Sequence, residues 1–168
     1  TLTNEMVTAK DTEYTGNTVA VVVKDGDKTL VEGKDYTVIY SGSNPNAGET
    51  SAAITGIGNY KGTVNTTHTI LPKEVENDSV IATAKEKYYT GKAVTLSEED
   101  VTVTYNGKVL TAGTDYTVGN YKDNVEEGTA LATVTFTGNY SGTVNVSFGI
   151  SKIRAKVYAK YGNGKLLL

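Results

Sequence analysis

The sequence predicts an all-β protein built as two tandem β-sandwiches, and three observations carry that expectation. The stretch Gly58-Asn59-Tyr60-Lys61-Gly62-Thr63-Val64-Asn65 returns as Gly138-Asn139-Tyr140-Ser141-Gly142-Thr143-Val144-Asn145, so one unit is written twice. Apolar residues alternate with polar ones, the period of a strand with one buried and one wet face. Twelve tyrosines stand against two phenylalanines and no tryptophan, alongside abundant threonine and valine, a bias that favours strands.

The repeat sets the organisation, because a missed period miscalls a fold. Thr8-Ala9-Lys10 and Tyr14-Thr15-Gly16 recur 75 residues later as Thr83-Ala84-Lys85 and Tyr89-Thr90-Gly91. From Val21 onward the spacing is 80, under which Gly33-Lys34-Asp35-Tyr36-Thr37-Val38 meets Gly113-Thr114-Asp115-Tyr116-Thr117-Val118. The second copy therefore carries five extra residues, placed in the acidic stretch Ser97 to Asp100 and its neighbour; insertions of this kind sit in surface loops.

Taken in order, Glu5 to Thr12 and Asp78 to Lys87 each read as a first strand leading into Tyr-Thr-Gly. Val101, Val103 and Tyr105 alternate, as do Ala132, Val134 and Phe136. Val144, Val146, Phe148 and Ile150 do the same, matched in the first copy by Val64, Thr66, His68 and Ile70. Asp25-Gly26-Asp27 and Asn106-Gly107 are hairpin turns, since Asn, Asp and Gly accept positive φ at little cost. Short strands at this spacing imply a sandwich. The polar segment Pro72 to Asn77 joins the copies and is short enough to set them end to end with limited freedom. The expected domains are 1–73 and 74–168. Residues from 153 read either as the opening strand of a third copy or as a terminal strand of the second, on a likeness of Ile153–Gly164 to Ile81–Lys92.

Composition narrows the function classes. At 38% hydrophobic and 21% charged residues the chain lies in the range of folded soluble proteins. A net charge of −3 with scattered lysines provides no basic field for phosphate backbones or anionic lipid, so neither nucleic acid nor membrane insertion is expected. The absence of cysteine excludes disulfides and thiolate metal sites. No signal peptide or membrane span is recognisable.

Candidate catalytic residues are thin. His68 is the sole histidine and takes the place of Phe148 in the twin copy, which favours a core role over a general base. A Ser-His-Asp or zinc site would need more than this one imidazole. Glu98-Glu99-Asp100 and Glu126-Glu127 are runs of neighbours that read as solvated loops rather than the facing pair a glycosidase uses. Asp25-Gly26-Asp27 lacks the further ligands of a calcium loop. No enzyme activity, cofactor or metal is expected, and no ligand-binding residue is assigned.

Tyr36, Tyr116, Tyr60 and Tyr140 recur in both copies and read as framework: a ring covering a sandwich edge, its hydroxyl satisfied by backbone. Tyr40, Tyr88, Tyr105 and Tyr121 lack partners under the repeat and are free to stack on sugar rings if exposed. A lysine-to-carboxyl isopeptide bond would need a lysine, an Asp or Asn and an acid together, and spacing nominates no such triplet. Asn65-Thr66-Thr67 and Asn145-Val146-Ser147 are glycosylation triplets of the kind threonine-rich strands contain by chance.

Tyr89-Thr90-Gly91-Lys92-Ala93-Val94, Gly113 to Val118 and Gly138 to Val144 together resemble the tandem immunoglobulin-like repeats of large secreted and cell-wall proteins of Gram-positive bacteria. The likeness spans both copies, about Met6 to Lys152. The Gly-x-Asp-Tyr-Thr-Val element is also similar to the immunoglobulin-like X modules of cellulosomal scaffolds. The resemblance implies extracellular immunoglobulin-like sandwiches in a multimodular bacterial protein, at the cell wall or secreted. It transfers no catalytic residue. A spacing role beside neighbouring modules of the same polypeptide, as a monomer, is the leading expectation. Adhesion to a polysaccharide, mucin or host protein is the alternative, sought where the copies differ, as in Ser43-Asn44-Pro45-Asn46 against Asp123-Asn124-Val125-Glu126.

Overall fold

A computed structural model describes residues 1–154 and two further short strands, 160–162 and 165–167. Regular structure is strand throughout, apart from single 3-10 turns at Asn4–Met6, Asn77–Ser79 and Glu98–Asp100. The first copy contains β1 (Val7–Thr8), β2 (Thr12–Glu13), β3 (Val22–Asp25), β4 (Lys28–Thr29), β5 (Tyr36–Gly42), β6 (Gly48–Gly56) and β7 (Thr63–Leu71). They form a three-stranded sheet, β1-β3-β4, and a four-stranded sheet, β2-β7-β6-β5. After β8 (Lys73–Glu74) the second copy repeats the plan with β9 (Val80–Ala84), β10 (Lys87–Tyr88), β11 (Val101–Tyr105), β12 (Lys108–Val109), β13 (Tyr116–Lys122), β14 (Gly128–Phe136), β15 (Tyr140–Ser141) and β16 (Thr143–Ser151). Its sheets are β9-β11-β12 and β10-β16-β14-β13.

The alternating residues face inward. Val23, Ile54 and Val64 belong to one buried cluster, and Val103, Val134, Val146 and Phe148 to another. Each copy thus has its own sandwich-like core, with a fully buried valine or isoleucine contributing about 1.5–3 kcal/mol. The hairpin turns fall at Gly26-Asp27 and Asn106-Gly107. Gly26 has φ 58°, while Asn106 and Gly107 have φ 49° and 78°, the positive values that match a turn to the twist of its strands.

Two expectations are corrected. Each opening stretch, read as one strand, is two. β1 pairs antiparallel with β3 and then β2 pairs parallel with β7; β9 and β10 repeat this on β11 and β16. The chain crosses from one sheet to the other between them, and in the first copy Asp11 Oδ1 anchors the crossing by accepting the Thr69 N–H at 2.6 Å. Alternation alone does not show where a strand changes partner. The second correction concerns Tyr40 and Tyr121, which are partners after all, 81 residues apart. A register irregularity between Gly119 and Lys122, where Asn120 has φ 49°, shifts the pairing by one. Tyr40 Oη accepts the Val21 N–H at 3.0 Å and Tyr121 Oη accepts the Leu96 N–H at 3.0 Å.

Val21 and Leu96 hold the same role 75 residues apart, so the five-residue insertion lies after Leu96, in Ser97–Asp100 and its neighbour, as expected from the spacing. There Asp100 Oδ2 accepts both the Ser97 N–H and the Ser97 hydroxyl at 2.7 Å, closing the 3-10 turn. Part of the stretch read as a third opening strand, residues 155–159, 163 and 164, lies outside the described residues, as does 168. Strands β17 (Lys160–Gly162) and β18 (Lys165–Leu167) pair antiparallel.

Candidate functional site

A set of contacts that the repeat does not duplicate among the described residues lies where the copies meet. β8 leaves the first copy and pairs parallel with β15 of the second. The Lys73 N–H donates to the Asn139 carbonyl at 2.9 Å and the Val75 N–H to the Ser141 carbonyl at 3.0 Å. The linker is therefore an added strand, and Val75, only 7% exposed, is part of the second core. A segment paired along one edge as a strand loses the freedom of a coil linker, which explains why so short a polar segment orders the joint.

Side chains close the contact. The Asn139 amide bridges to the first copy: its Oδ1 accepts the Ala47 N–H at 2.7 Å and its Nδ2 donates to Asn46 Oδ1 at 3.0 Å. Tyr14 meets Tyr140 edge to face at 5.7 Å between ring centroids, and Tyr105 meets Tyr140 likewise at 5.8 Å. Such pairs contribute about 0.5–1.5 kcal/mol beyond area burial. Lys108 Nζ lies 5.8 Å from the Tyr140 ring centroid and donates to its hydroxyl at 3.4 Å; that hydrogen bond is the first cause holding the ammonium above its ordinary range. Lys73 Nζ pairs with Glu13 at 2.5 Å on the exposed rim. The hydrogen bond from Lys73 pulls the Glu13 carboxyl down. A cleft of about 330 Å³ between Tyr14, Lys73, Tyr105 and Lys108 completes the surface. Its groups pack and hydrogen-bond; they set no nucleophile beside a base.

The other candidates are dispersed. His68 is 4% exposed and faces Thr50 across β6 and β7. Neither ring nitrogen has a hydrogen-bond partner, nor do the Thr50 and Thr12 hydroxyls. Among the described residues no three of His, Cys, Asp and Glu gather as a metal site would require. Glu98 and Glu99 are on the insertion turn, and Glu127 pairs with Lys152 at 3.5 Å. Asp25 accepts the Tyr60 hydroxyl at 3.1 Å beside its hairpin.

Of the recurring tyrosines, Tyr36, Tyr116 and Tyr140 are buried, and Tyr116 satisfies its hydroxyl on backbone as expected, whereas the Tyr60 and Tyr140 hydroxyls engage side chains instead. Tyr116 is 2% exposed and its hydroxyl donates to the Val101 carbonyl at 2.9 Å; burial raises the Tyr36 and Tyr116 phenols. Ahead of them Asp35 and Asp115 accept the Val31 and Thr111 N–H groups at 3.0 and 2.8 Å, so Gly-x-Asp-Tyr-Thr-Val closes a turn before its strand. Of the four tyrosines read as free, Tyr105 is buried and Tyr40 and Tyr121 are anchored inward, Tyr121 edge to face with Phe148 at 6.2 Å. Tyr88 alone of these is largely exposed.

Lys87 Nζ lies 2.5 Å from Asp100 Oδ2, the closest lysine–carboxyl approach within the second copy among the described residues. Hydrogen bonds from Lys87 first, then from Ser97, hold the Asp100 carboxyl well below the usual range. Amide formation needs a neutral amine and an electrophilic, protonated carboxyl, so this environment favours the ion pair.

The joint was missed because Tyr140 has an evident turn role. The signal was nonetheless present: Lys28 and Tyr60 recur as Lys108 and Tyr140, while Tyr14 recurs as Tyr89. Neither a protein-family model nor a curated protein sequence matches the chain. Among the described residues no helix is long and apolar enough to cross a membrane.

Proposed function

We propose that the chain is a non-catalytic structural spacer, two immunoglobulin-like sandwiches over 1–73 and 74–168, within a larger extracellular protein of bacterial cell-wall or secreted type. The observation that carries this reading is the joint: strand pairing, the Asn139 bridge and the Tyr14–Tyr140–Tyr105 stack fix one copy on the next. The polar residues shared by both copies, Asp35 and Asp115 above all, serve turns. A module whose repeated chemistry is spent on its own geometry suits the holding of neighbours at a set separation.

A second reading, adhesion to a polysaccharide, mucin or host protein, attaches to the outer face of the first four-stranded sheet. There Ile39, 73% exposed, stands beside a shallow hollow lined by Ser41, Ser51, Ala53, Asn65 and Thr67. The test is a binding screen of the chain against polysaccharides, mucins and host proteins. The spacer reading predicts no saturable binding. Saturable binding lost in Ile39→Asp, with the fold retained, would establish the second reading instead. Tyr40→Ala and Tyr121→Ala are unsuitable probes, since both rings support backbone inside their copies.

A further inference from the structure

Both halves of the joint are present a second time at opposite ends of the described chain, and among the described residues neither meets another copy. At the end of the second copy the Tyr89 N–H donates to the Ser151 carbonyl at 2.9 Å, as the Tyr14 N–H donates to the Leu71 carbonyl at 2.8 Å. Lys152 lies 4.8 Å from the Tyr89 ring centroid. Where the joint has the Glu13–Lys73 pair, this end has Tyr88 and Ile153, 63% and 74% exposed. Both large apolar side chains are thus left in solvent at the positions that the joint fills with contacts to the next copy.

The opposite pole is the matching half. Lys28 Nζ lies 5.4 Å from the Tyr60 ring centroid, as Lys108 does over Tyr140. The Leu2 N–H donates to the Lys61 carbonyl at 2.8 Å, where the Val75 N–H donates to Ser141. Tyr60 is only half-buried, whereas Tyr140, covered by Tyr14, is 6% exposed.

We infer that the Tyr88-Tyr89-Ile153 surface is a docking face for the Asn59-Tyr60-Lys61 turn of a further copy of this module, joined head to tail. The interface is heterologous, so its two halves differ. Leu2 stands where Val75 stands, so Ile153 and Arg154 take the places of Lys73 and Glu74, and Ile153 N–H meets the Asn59 carbonyl. Glu126 and Glu127 replace Asn46 and Ala47 opposite Asn59, whose amide donates equally well to a carboxylate. Tyr88 and Ile153 replace an exposed ion pair with apolar contact, which strengthens such a rim.

This inference rests on the spacer reading for its occupant, and the experiment separates the two. The full chain is lengthened by inserting a second run of residues 2–154 directly after Arg154, and amide hydrogen exchange is followed by NMR. The Ile153 amide of the first run exchanges at least about tenfold more slowly than in the unlengthened chain, the mark of a new buried hydrogen bond. Tyr89→Ala in the first run restores fast exchange there while the Ile150 amide in the core stays protected. Equal exchange of Ile153 in both chains overturns the inference, as does an Ile153 amide already slow in the unlengthened chain, which would show its own C-terminal residues covering the face. A saturable ligand found for the lengthened chain with Ile153 protected removes the spacer reading and leaves the docking face; an unprotected Ile153 without a ligand does the reverse.

Discussion

His68 shows how one side chain separates two otherwise matched cores. Its ring and the facing Thr50 hydroxyl are buried without partners, while the same positions in the second copy hold Phe148 against Ala130. A buried polar group left unpaired costs about 1–3 kcal/mol. His68→Phe therefore raises the stability of the first copy by about 1 kcal/mol or more, read as a higher denaturant midpoint for that copy; a lower midpoint would show that packing around the imidazole outweighs its missing hydrogen bonds. Asp100 has the opposite character, a buried carboxylate whose Oδ2 takes the Ser97 N–H, the Ser97 hydroxyl and the Lys87 ammonium. Its folded-state pKa is depressed, so its contribution is complete above the unfolded value of about 4 and is lost as pH falls through the folded one. Between neutral pH and the acid range the second copy loses stability, and Asp100→Asn flattens that loss. An unchanged acid profile in the variant would assign acid sensitivity to other carboxylates.

At the scale of elements, the Gly-Asn-Tyr-x-Gly turn positions β7 and β16. Gly138 has φ 65°, and a Cβ there would meet the Thr114 carbonyl at 2.9 Å. Gly138→Ala destabilises the second copy by more than about 1 kcal/mol, and Gly58→Ala, with φ 63° and the Lys34 carbonyl at 3.0 Å, acts similarly on the first. Denaturation of each variant checks this, and a neutral Gly138→Ala would remove the turn from the register account. Strands, hairpins, the insertion after Leu96 and the framework tyrosines were legible in the sequence because each leaves a local mark, a period of two or a turn residue. The sheet crossing after Thr8 and Ala84 was not, since parallel pairing of β2 with β7 is decided by residues far along the chain. The Tyr40–Tyr121 match was hidden by a one-residue bulge at Asn120, which no fixed repeat spacing detects.

At the scale of the whole molecule the question is whether the two copies act as one body. Sequence spacing showed a short linker; it did not show that the linker becomes β8 on the edge of its neighbour, nor that Tyr14 crosses to cover Tyr140. The proposed spacing role depends on that joint, since a hinge between copies would transmit no fixed separation. Residual dipolar couplings of backbone amides test it most directly. One alignment tensor fits both copies of the chain, and Tyr14→Ala splits the fit into two tensors of differing magnitude. Two independent tensors in the unmodified chain would contradict the account, because the copies would then reorient freely about Pro72–Asn77.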